Sequence, residues 1–135
     1  MLITRGRVGV VLFAVLTLVA FAGCGDKHES ALDDSIDLRE ELAGILEGIT
    51  DEASAKAASS KIEGWVADQK KLSERMESLD EPSAEEGKAM QEKYQGRMAA
   101  ASARLQKQMQ RLMMDPKLAP AIGEAMGKIQ AAMQK

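Results

Sequence analysis

The chain has 135 residues, a net charge of −3, one cysteine, one histidine, no asparagine and 3% aromatic residues. That is enough for one small domain, and it excludes a disulfide framework or a multi-cysteine metal site. Phe13 and Phe21 fall in an apolar leader, so only Trp65 and Tyr94 remain beyond it. A nucleic-acid or sugar site built on stacked aromatics is excluded on that count. With His28 as the single histidine, no nucleophile, base and orienter can be assembled, and neither an enzyme nor a cofactor is expected.

The leader differs from everything after it. Arg5 and Arg7 precede an uncharged run from Val8 to Gly25, almost wholly apolar as far as Phe21 and ending Ala22-Gly23-Cys24-Gly25. A basic start, an apolar stretch and small residues at the end make a secretory signal peptide. The order Phe21-Ala22-Gly23-Cys24 resembles the lipobox of bacterial lipoproteins, with Phe21 where leucine is commonest. The resemblance implies cleavage before Cys24 and addition of a diacylglyceryl group and an N-acyl chain to it. Buried acyl chains contribute ~0.8 kcal/mol per methylene, and two or more hold a protein stably on a membrane. The alternative is an uncleaved span, since the uncharged run is 18 residues (8–25) against a lower limit of about 17. Either way the remainder is exported to the extracytoplasmic side. Gly25, where an aspartate retains enterobacterial lipoproteins at the inner membrane, implies by the same resemblance the outer one. The chain thus divides into a signal peptide (1–23), a lipidated cysteine with its linker (24–29) and a helical domain (30–135).

In that domain Ala, Glu, Lys, Gln, Leu and Met dominate, all good helix formers. No Asn-Gly or Asp-Gly pair is present to turn a hairpin. The class is all-α. A first helix carries Leu32, Ile36, Leu42, Ile45, Leu46 and Ile49, and Asp51 is placed to cap the next. Ala58, Ile62, Trp65, Gln69, Leu72, Met76 and Leu79 then make a heptad seam, stopped at Glu81-Pro82. Ser83-Ala84-Glu85-Glu86 reads as a capping box. A third helix follows with Met90, Tyr94, Met98, Ala101, Leu105, Met109 and Leu112, until Asp115-Pro116 ends it. A fourth carries Leu118, Ile122, Met126, Ile129 and Met133, with Pro120 in its first turn. The expected fold is a slim antiparallel bundle of three to four helices, with the two long ones forming a hairpin around Pro82.

Each candidate site has a structural counterpart. Eight methionines besides Met1 invite copper(I) binding through thioethers, but most sit on the apolar stripes, where methionine fills cores. Gly44/Gly48 and Gly123/Gly127 have the spacing of close helix crossings or of loose helices. Asp33, Asp34, Asp37, Glu40 and Glu41 lack the glycine-turned loop of a calcium site and read as a solvated acidic face. Charge is the strongest signal. Residues 26–52 carry ten acids and two bases, whereas residues 88–135 carry nine bases and three acids. Arg97, Arg104 and Arg111 recur every seven residues beside the third stripe. This basic edge either receives the acidic first helix or binds lipid headgroups, wall polymer or an acidic envelope protein; the first reading is favoured because flanking charges commonly set helix pairing.

Asp51 to Ala58, followed by Lys61-Ile62, is similar to a segment of short helical lipoproteins of unknown function from planctomycete-type bacteria, a resemblance that brings no activity with it. The functional expectation is an anchored envelope lipoprotein acting as a non-enzymatic interaction or spacer module. Copper or small-ligand binding, and a coiled-coil element that pairs between chains as a homo-oligomer, are the alternatives.

Overall fold

The computed structural model describes residues 27–134. The signal peptide and Cys24 lie outside the described residues. The described chain is all-α, four helices without a strand: α1 (27–47), α2 (Glu52–Glu77), α3 (Ala84–Met114) and α4 (Ala119–Met133). Residues 27–29, expected as linker, already belong to α1.

The breaks between helices have local causes. After Gly48 the Ser54 hydroxyl accepts from the Thr50 and Asp51 amides, and the Ser54 amide donates to Asp51 Oδ1 at 2.7 Å. This reciprocal box starts α2 at the residue that the sequence marks as its cap. Ser83 caps α3 by accepting from the Glu86 amide at 3.2 Å. Only half of the expected box forms there, because the Glu86 carboxylate turns away from the helix start to His28. Asp115 Oδ1 accepts from the Lys117 and Leu118 amides and folds the chain into α4, with Pro120 in its first turn. At that position the missing proline amide leaves no bond unmade.

Neighbours in space are not neighbours in sequence. Partners on α1 and α3 rise together, from Glu29 with Tyr94 to Ile49 with Arg111, so these two helices run parallel. Against α2 the order reverses, with Leu38 beside Trp65 and Asp34 beside Arg75, so α1 and α2 are antiparallel. The long helices α2 and α3 do run in opposite directions from the 78–83 turn, but they make no close backbone approach to one another. The expected direct pairing is replaced by α1, which reaches both. The reason lies in the seam of α2: Ala58, Ile62 and Trp65 share one buried cluster with Leu42 and Leu46 of α1, Ile49 just past it, and Ile122, Met126 and Ile129 of α4. Leu105 and Leu112 are what α3 adds to it.

The core is thick at one end only. At 15 residues α4 spans about 22 Å, against about 46 Å for the 31 residues of α3. Beyond its reach, toward the 78–83 turn, Ile36 and Leu72 are still buried, but Met76 on the α2 seam is 49% exposed. The glycine pairs do not mark close crossings, since a Cβ at Gly44, Gly123 or Gly127 would meet open space.

Candidate functional site

The sequence singled out the arginine edge of α3, and the structure turns that edge onto α1. Arg97 is met by three carboxylates one turn apart on α1, Asp33, Asp37 and Glu40. Arg104 makes a two-pronged pair with Glu47, Nε to Oε1 at 2.6 Å and Nη2 to Oε2 at 2.7 Å. That fork-to-fork geometry is the strong form of such a contact. Arg111 meets no carboxylate. Its guanidinium donates to the carbonyl oxygens of Leu46 (2.9 Å) and Ile49 (3.1 Å). Leu46 lies in the last turn of α1 and Ile49 just past it, where the helix dipole favours a cation. Asp33, Asp37 and Glu40, read from the sequence as part of a solvated acidic face, thus all go to one arginine.

The electrostatics follow from the pairing. The Arg104 hydrogen bond holds the Glu47 carboxyl below its ordinary range, and Glu47 in turn raises Arg104. Arg97 is raised, first by Glu40 and then by Asp37 and Asp33. Nearer the start of α1, Glu29 receives Lys93 and the Tyr94 hydroxyl, the latter at 2.7 Å. The Lys93 hydrogen bond lowers Glu29 most, and Glu29 raises Tyr94.

His28 is half-buried and part of the bundle, not of a linker. Its Nδ1 faces Glu86 Oε1 at 3.1 Å, and its Nε2 faces the Asp80 carbonyl oxygen. Both are acceptors, an arrangement that the doubly protonated ring satisfies as donor on each side. Glu86 is the buried charged side chain among the described residues, at 8% exposure. This clasp ties the start of α1 to the 78–86 segment. A capping-box reading of Glu86 hid it, and no spacing rule would connect residues 28 and 86.

The methionines depart from their expected role as core. Of the eight, only Met126 is buried; Met76, Met113, Met114 and Met133 are the exposed large hydrophobic residues of the described chain. Met109, Met113 and Met133 line one groove of about 370 Å³. Among the described residues no group of three or more His, Cys, Asp or Glu side chains is placed to hold a metal ion. The acids of α1 are instead shared out, with Asp34 paired to Arg75 at 2.7 Å. No described helix is long and apolar enough to cross a membrane.

No protein-family model, curated protein or solved structure matches the chain.

Proposed function

We propose that the chain is an envelope lipoprotein, anchored through Cys24 on the extracytoplasmic side of a membrane, that acts as a non-enzymatic interaction or spacer module. The observation that carries this reading is the clasp of His28 on Glu86 and the Asp80 carbonyl, four residues after the cysteine in sequence. A folded element that starts so close to its anchor transmits the position of the anchor to the whole bundle. The 78–83 turn then lies at the anchored end, and the 48–51 and 115–118 turns at the far end. Standing upright, such a bundle holds its far end on the order of 46 Å, the length of α3, from the bilayer.

Cys24→Ser tests the anchor. Intact-mass analysis of the exported wild-type protein should show a chain that begins at Cys24 and carries acyl groups, and the variant should keep residues 1–23 and carry none. A wild-type chain that is mature without acyl groups, or retains Met1 to Gly23, ends the proposal. Cross-linking of the anchored protein in intact cells then identifies what the far end meets.

A further inference from the structure

We propose that two copies of the chain pair antiparallel through the outer face of α3, about a two-fold axis that passes between Ala99 and Ala100. The arginines of α3 all point to α1. On the opposite side, from Gln95 to Met114, no charged residue occurs. Gln95, Ala99, Ala103, Gln106, Gln110 and Met113 are exposed there and follow one another at helical spacing. In a chain with 29% charged residues, this face of five turns is half glutamine and half apolar and carries no charge of its own. Two open grooves flank this face along nearly the whole helix. One, of about 460 Å³, runs past Met90, Tyr94 and Met98; the other, of about 370 Å³, runs past Leu105, Met109 and Met113. Half of the exposed large hydrophobics of the described chain, Met113 and Met114, close its far end at 59% and 83% exposure.

Charge selects the occupant and its direction. The uncharged face is bordered by Glu92 toward one end and Lys107 toward the other, both exposed; Lys107 acts on Glu47 of α1 through space without pairing to it. Residues 92 and 107 are equidistant from the point between Ala99 and Ala100. An antiparallel second copy therefore brings its Lys107 to Glu92 and its Glu92 to Lys107. The contact is self-complementary, as a two-fold interface has to be. A parallel copy would set Glu92 on Glu92 and Lys107 on Lys107, which like charges oppose. At the axis the residues are alanines, and small side chains bring helix axes to the near end of the ~8–10 Å range. The pairing does not depend on the anchor.

Site-directed disulfides in the full chain in detergent test it, with Cys24→Ser so that each introduced cysteine is the one thiol present. Ala99→Cys should cross-link to itself under mild oxidation. Gln95→Cys and Ala103→Cys should each fail to cross-link alone and should cross-link when mixed, since residue 95 of one copy lies level with residue 104 of the other, and residue 103 is the neighbour of 104 on this face. Ala99→Glu, at an exposed position, should leave the helical circular dichroism unchanged and abolish the dimer in sedimentation. Glu92→Lys should weaken the dimer at least tenfold, and adding Lys107→Glu should restore it. A monomer at every concentration overturns the proposal. So does a dimer that survives Ala99→Glu, or a Gln95→Cys chain that cross-links to itself, which marks a parallel pair.

Discussion

Trp65 donates its indole N–H to the carbonyl oxygen of Leu38 at 2.7 Å, from a ring that is 2% exposed. One side chain thus supplies the largest buried volume of α2 and a directional bond to the backbone of α1. Tryptophan suits such a position only where its N–H finds an acceptor.

The two contributions separate by substitution. Trp65→Ala should lower unfolding free energy by ~3–5 kcal/mol, from lost burial plus the cavity left behind. Trp65→Phe keeps most of the ring and loses the bond, so about 1 kcal/mol of its effect should trace to the missing hydrogen bond. Urea titration followed by circular dichroism measures both, and wild-type tryptophan emission should be blue-shifted.

The arginines of α3 should divide into two kinds. Arg104→Glu should lower the urea midpoint, and Glu47→Arg in the same chain should recover it, because the pair meets side chain to side chain. Arg111→Glu should lower the midpoint with only partial recovery from Glu47→Arg, because its hydrogen-bond partners are backbone carbonyls and Glu47 acts on it only through space. Added salt should weaken the carboxylate pairs, since charges at the surface are screened over ~8–10 Å.

Acid should release α1 first. Glu29 and Glu47 have folded values below their ordinary ones, so their contribution is complete above the unfolded carboxylate value of ~4.3 and disappears as pH falls through the lowered folded values. Asp51, lowered chiefly by the Ser54 amide, follows the same sign at the start of α2. The urea midpoint should fall below about pH 4.5. Glu47→Gln should flatten part of that fall.

Gly64 sits inside α2 with open space where a Cβ would stand. Gly64→Ala should therefore raise stability by about 0.4–1 kcal/mol, through helix propensity and the entropy of the unfolded chain. Chemical denaturation measures it.

Much of this architecture was legible in the residues themselves. Asp51, Ser83 and Pro120 announce helix starts through chemistry confined to a few neighbours, and the heptads of α2 name its buried side correctly from Ala58 to Leu72. The acid–base asymmetry pointed to α1 lying on the edge of α3. What periodicity does not carry is which stripe meets which. Every stripe is compatible with every other, so the placing of α1 between α2 and α3 had no signal of its own. The register was equally silent, because Asp33, Asp37 and Glu40 look interchangeable until Arg97 gathers all three. Glu86 misled for a related reason, since a carboxylate at the third position of a helix can serve its own amides or a distant ring. Methionine misled most, because a stripe position identifies a side of the helix and not whether another helix covers it.

The parallel pairing of α1 with α3 has a consequence for how the chain comes to be folded. The partners of α1 on α3 lie 57–65 residues downstream. During synthesis α1 emerges before α3, and its acids face water until Arg97, Arg104 and finally Arg111 have followed. Contacts of such sequence separation are slow for a helical protein, whose folding is otherwise dominated by local steps. The early chain is protected by its own solubility, with five acids, Glu29, Asp33, Asp37, Glu40 and Glu47, on the side that α3 later covers. Arg111, reaching the end of α1 from near the end of α3, is the last of the three arginines to join.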